Sequence, residues 1–143
     1  MKIKLTNNIN LSVRWKYGEL KNKYNCAFPD DIIKSKTPNI SYCSISYIDY
    51  SVHNPKYELL SYGYAQCFNE NGVYFDIFNK KIGRKLSFSR AVSCIDAELW
   101  NNFILYNIEF STFTDKTIRS LLWNNYLQEF GPKIPEIKTI ILF

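Results

Sequence analysis

The residues best suited to chemistry lie in one stretch, Tyr74 to Val92, YFDIFNKKIGRKLSFSRAV. Lys80, Lys81, Arg84, Lys85 and Arg90 surround Gly83, and Tyr74, Phe75, Phe78 and Phe88 are interleaved with them. Arginine offers a planar fork of donors that matches phosphate, and it stacks on flat rings. Cations alternating with aromatics are what a phosphate-bearing, ring-containing ligand needs. A second, smaller group is Arg14-Trp15-Lys16-Tyr17, where cations beside Trp and Tyr could extend such a surface. The site read from these residues comprises Arg84, Lys85 and Arg90 as anion binders, with Phe78 and Phe75 as stackers. Asn79, Lys80 and Arg14 complete it. Lys80 and Lys81 fit two readings equally, ligand contacts or solvated lysines. Phe88 and Trp15 read as structural. No GxxxxGK[ST] or GxGxxG pattern occurs, so the run is not a known phosphate loop.

Other chemistries find little support. His53 is the single histidine and sits in SVHNPKYE, which reads as an exposed turn. A Ser-His-Asp or Cys-His arrangement would have to run through it. Cys26, Cys43, Cys67 and Cys94 form no Cys-x-x-Cys pair, so four free thiols are expected and no zinc site. Asp30-Asp31 and Asp96 with Glu98 read as solvated charges or helix caps. The expectation is a binding protein without catalytic residues, metal or cofactor.

Elements must position these residues. With 143 residues the chain fits one domain that can bury a core without staples. Ile3 to Val13 reads as one or two short strands broken at Asn7-Asn8. Tyr42–Tyr50 alternates: Cys43, Ile45 and Tyr47 point one way, Ser44 and Ser46 the other. Glu58–Phe68 follows the Asn54-Pro55 turn with a large face (Leu60, Tyr62, Tyr64, Phe68) and a small one (Ser61, Gly63, Ala65, Cys67). The two runs read as a β-hairpin whose small face admits a helix or a ligand. Cys26–Asn39 reads as an extended loop or a lid, and Asn69–Gly72 as a turn.

Helical periodicity comes next. Asp76 is the expected cap of a short turn, Gly83 its end, and Arg84 or Lys85 the start of a second helix. Phe88, Ala91, Val92 and Ile95 share a face of that helix. A further helix is expected over 96–108. Another runs from a Thr114-Asp115 cap to Phe130, with Ile118, Leu121, Leu122, Tyr126 and Phe130 apolar, and Gly131-Pro132 stops it. Lys138–Phe143 reads as a closing strand. The predicted class is α+β: an antiparallel sheet from the N-terminal half packed against two or three C-terminal helices.

The net charge of +5 and pI near 9.0 suit an anionic ligand without marking a strong nucleic-acid binder. Every apolar segment is broken within about ten residues, too short to span a bilayer. The MKIKLTNNIN start has no apolar core of signal-peptide length. The expected location is the cytoplasm.

The segment Asp76-x-Phe78-Asn79-Lys80-Lys81-x-Gly83-Arg84-Lys85-x-Ser87-Phe88-x-Arg90-Ala91 resembles a motif of small phage proteins, most closely the first family of phage anti-Thoeris sponges. The motif spans sixteen residues. The Tyr42–Phe68 hairpin and the last helix, with Leu122, Trp123 and Tyr126, fit the same layout. The first forty residues lie outside it. The resemblance implies an α+β protein that assembles as dimers or multiples of dimers. It would sequester a cyclic ADP-ribose isomer without cleaving it, as members of that family do, some of which also hold cyclic oligonucleotides of CBASS immunity. It carries ligand contacts onto Arg84, Lys85, Arg90, Phe78 and Asn79. The partner is then a small cyclic nucleotide signal in the cytoplasm of a bacterial host. The rival readings are a protein-directed, anti-CRISPR-like inhibitor, an enzyme that degrades the signal, and a DNA or RNA binder.

Overall fold

A computed structural model describes residues 1–5, 7–20, 29–51, 53–67, 69–70, 73–74, 78–95 and 115–132. Asn7 and Asn8 do break the first run, giving β1 (Lys2–Lys4) and β2 (Ile9–Leu20). β2 extends seven residues beyond the expected end at Val13, so Arg14 to Tyr17 lie inside a strand. After a 3-10 turn at Pro29–Asp31 comes β3 (Ile32–Ile33), which pairs with the far end of β2. β4 (Ile40–Asp49) and β5 (Lys56–Gln66) form the expected hairpin. The order β1-β2-β4-β5 is antiparallel throughout, with β3 beside β2. Next to the Asn69–Gly72 turn signal, β6 (Asn69–Glu70) and β7 (Val73–Tyr74) pair as a small antiparallel ladder of their own.

The helices among the described residues are α1 (Lys80–Ser93) and α2 (Asp115–Phe130). The result is the α+β architecture expected from the pattern, a sheet from the N-terminal half packed with two helices. The proposed cap at Asp76, the 96–108 helix, Thr114 and the closing strand lie outside the described residues. No helix among those described is long and apolar enough to cross a membrane.

The core is where alternation and helical period meet. Leu11 and Val13 of β2, and Cys43 and Ile45 of β4, share a sheet face with no exposed surface. Phe88, Ala91 and Val92 of α1 and Ile118, Leu122 and Tyr126 of α2 close over them. Leu60 joins this cluster, against the alternation that grouped it with Tyr62 and Tyr64. The reason is a β-bulge: Ile45 faces Ser61 and Ser46 faces Leu59, so Leu60 is an extra residue.

The small face of β5 receives a helix. A Cβ at Gly63 would lie 2.4 Å from the Ala91 nitrogen and 2.6 Å from the Ser87 oxygen, so the backbones of β5 and α1 are in direct contact. Ser61 Oγ donates to the Ala91 carbonyl at 2.7 Å in the same seam.

Gly83 requires a correction. It does not end one helix and start another. α1 runs unbroken through it, and the glycine is buried against Ser41, whose Oγ would lie 2.1 Å from an added Cβ. Glycine here serves close approach, which outweighs its cost of roughly 1 kcal/mol inside a helix.

Candidate ligand-binding site

The helix start fixes the site. Asn79 is the N-cap: its Oδ1 accepts from the backbone N–H of Lys81 at 3.0 Å and of Ile82 at 3.2 Å. These are two of the donors that a helix start leaves open. Asn79→Ala should therefore cost roughly 1 kcal/mol of stability in urea unfolding, by loss of the cap. The cap delivers Lys80 onto the ring of Tyr17, with Nζ 4.8 Å from the centroid. Phe78 meets the same ring edge-on, with centroids 6.4 Å apart. Tyr17 is thus the point where the Gly83 region and the Arg14–Tyr17 group come together.

A cleft of about 370 Å³ opens beside it. Its lining includes the lysines Lys16, Lys34 and Lys80 and the aromatic residues Trp15, Tyr17 and Phe78. Ser35 and Pro38 also line it, and none of its described lining residues is acidic. Lys16 is steadied by donating from Nζ to the Pro29 carbonyl at 2.8 Å, which leaves the ammonium two further N–H groups. Thr37 N–H donates to Ser35 Oγ at 3.1 Å and tightens the turn that follows Lys34. The segment expected as a loop or lid therefore supplies one wall.

Arg84 sits behind the cleft. Its Cζ lies 4.0 Å from the centroid of Phe130, a cation–π stack onto the end of α2. Its guanidinium is also within hydrogen-bonding reach of the Tyr17 phenol. Burial pushes that phenol above its ordinary pKa and the guanidinium offsets part of the rise, so Tyr17 is neutral at physiological pH. The Arg84 carbonyl accepts from Trp15 Nε1 at 3.2 Å. Arg84 thus ties α1 to β2 and α2, and its Nε is buried without a partner.

The remaining candidates separate. Arg90 is on the far side of α1, donating to the Tyr64 carbonyl at 2.7 Å. Among the described residues it is the one cation lining a larger groove, about 660 Å³, that runs along β5 past Tyr62 and Tyr64 to Cys94. Lys85 is exposed on α1, outside both linings. Arg14 is exposed and pairs with Ser44, one residue out of phase with Trp15, so it lies on the sheet face opposite that ring. Phe75 lies outside the described residues. Phe88 and Trp15 are structural as read, with centroids 5.9 Å apart. Among the described residues no group of His, Cys, Asp and Glu could hold a metal, and Cys43, Cys67 and Cys94 form no disulfide.

Sequence reasoning missed Lys34, Ser35 and Pro38. The one available signal was two lysines, Lys34 and Lys36, in a segment already read as a lid. No protein-family model matches the chain, and no curated protein or solved structure matches it.

Proposed function

We propose that the chain is a phage-encoded binding protein that sequesters a cyclic nucleotide-type immune signal, foremost a cyclic ADP-ribose isomer, without cleaving it. The observation that carries this reading is the cleft of about 370 Å³ whose lining, among the described residues, includes three lysines and three aromatic residues and no acidic one. Pockets of about 300 Å³ and more hold small ligands. Ammonium groups satisfy phosphate oxygens as point charges, and ring faces or edges engage a base. Cyclic oligonucleotides of CBASS fall in the same class. Sequestration benefits from burying the ligand more completely than a cleft open on one side allows. The reading therefore includes a homo-oligomer, a dimer or multiple of dimers, in the cytoplasm of a bacterial host.

A thermal-shift screen against cyclic ADP-ribose isomers and cyclic di- and trinucleotides tests the proposal, because a ligand that binds only the folded state raises its melting point. Heat release and chromatography should then return the ligand intact. An altered product would make the protein an enzyme. Lys34→Ala and Lys80→Ala should each weaken binding by about 1.5–3 kcal/mol, the worth of a hydrogen bond to a charged group. Unchanged affinity in both variants would place the ligand elsewhere.

A second reading, a protein-directed inhibitor, is favoured by one feature. Ile82 and Leu86 are 58% and 43% exposed on α1, with the exposed cations Lys85 and Arg90 on the same helix. Such a protein would form a stable complex with a large partner and show no small-molecule stabilisation.

A further inference from the structure

Arg90 is a cation that the cleft at the start of α1 does not use. It follows Lys80 by ten residues, about 15 Å further along the helix at the usual rise. It lines the groove of about 660 Å³ beside β5. Among the described residues that groove and the cleft share no lining residue. The seam between β5 and α1 explains where Arg90 stands. At Gly63 the two backbones touch, so that an added Cβ would lie 2.8 Å from the Arg90 carbonyl carbon. Ser61 Oγ pins the next residue of α1 by donating to the Ala91 carbonyl at 2.7 Å. From this close approach the Arg90 side chain reaches β5, where its Nη1 donates to the Tyr64 carbonyl at 2.7 Å. One N–H of the guanidinium is thereby anchored. The fork carries five, and the residue is exposed.

The rest of the lining is largely apolar. Leu59, Tyr62 and Tyr64 contribute to it, with Cys94 one helical turn beyond Arg90. The Tyr62 ring is steadied by a stack on buried Tyr42, with centroids 6.0 Å apart and planes 17° from parallel. None of the described lining residues is acidic, so the charge of Arg90 meets no opposite charge from them.

We propose that this groove binds an organic monoanion, with its acid group on Arg90 and its aromatic or aliphatic body along Leu59, Tyr62 and Tyr64. The volume falls in the range of about 300–1,000 Å³ typical of small-molecule sites, which combine an apolar wall with a few polar groups. A guanidinium takes the oxygens of an acid group two at a time. One guanidinium offsets one negative charge. A dianion would bring a second charge against apolar side chains, where a charge without a partner is costly. The site is separate from the cleft and does not depend on what the cleft holds.

The test is titration of the full chain with 2-naphthoate, its neutral isostere 2-naphthamide, and acetate, by calorimetry. In parallel, alkylation of the exposed Cys94 thiol by iodoacetamide is followed by peptide mass spectrometry. Naphthoate should bind about 10- to 150-fold more tightly than naphthamide, the range for a hydrogen bond to a charged group. It should also slow alkylation of Cys94. Arg90→Gln should remove the preference for the acid, and Lys34→Ala should leave it intact. Naphthamide binding as tightly as naphthoate overturns the role of Arg90. Acetate binding as tightly overturns the apolar wall. Naphthoate that leaves Cys94 alkylation unchanged, or that responds to Lys34→Ala and not to Arg90→Gln, places the anion outside the groove and overturns the site. Alkylation of the wild-type protein decides the matter even if Arg90→Gln fails to fold, and failure of all three probes overturns the inference outright.

Discussion

Phe88→Ala lowers the stability of the chain by about 3–5 kcal/mol, the cost of emptying a buried aromatic site. The ring has no exposed surface. It stacks on Tyr126 with centroids 4.6 Å apart and meets Trp123 edge-on at 4.8 Å. It also touches Trp15, which is packed in turn against Phe130 at 5.4 Å. Three rings from two elements, β2 and α2, converge on this side chain, and alanine would leave a cavity that stiff neighbours fill poorly. Pairs of this geometry contribute about 0.5–1.5 kcal/mol beyond their burial. In a chain of this length the melting point should fall by roughly 10–15 °C. Scanning calorimetry reads it directly, and a fall under about 3 °C would contradict the packing of α1 and α2 over the sheet.

Gly63→Ala should be nearly as damaging although it adds a single methyl group. The new Cβ would meet the Ala91 nitrogen at 2.4 Å, the Ser87 oxygen at 2.6 Å and the Arg90 carbonyl carbon at 2.8 Å. All three are helix backbone, so no side-chain rotation relieves the clash. α1 has to lift from β5, stretching the Ser61–Ala91 hydrogen bond. Overpacking of this kind costs about 1–3 kcal/mol or more. Urea unfolding measures it, and wild-type stability in this variant would mean that the seam is looser than described. Gly83→Ala makes the contrast: its obstacle is the Ser41 side chain, and alanine favours the helix.

The hairpin and the apolar helix faces were legible because one physical signal dominates each. Cys43, Ile45 and Tyr47 alternate, and Phe88, Ala91, Val92 and Ile95 recur at helical offsets. β2 was read too short because Arg14, Lys16 and Gly18 break the apolar pattern; its continuation comes from pairing with β4 and β3, which no local pattern encodes. Glycine defeated local reasoning at position 83, since a helix stop and a point of close contact look alike in sequence. Leu60 was misplaced because a bulge shifts the alternation by one residue without altering composition. The site was half legible. Phe78 and Lys80 reach the cleft, and the aromatic-cation group near Trp15 supplies its floor. Lys34 joins them only because β3 docks on the end of β2, a contact between distant parts of the chain. Arg84 was read by its charge, while its position is governed by the ring of Phe130, forty-six residues away.

α1 begins with two lysines, has no acidic residue in its first turn, and carries its last cation, Arg90, near the C-terminal end. The positive pole of a helix disfavours cations at its start. The free protein therefore holds an electrostatic tension at the mouth of its own cleft. An arriving anion would discharge that tension, coupling occupancy to the cohesion of the first turn. Neutralising Lys80 would then act in two opposite directions, firming the empty fold while blunting its capture of ligand. A lineage under selection for capture would keep the lysine and accept the weaker helix start.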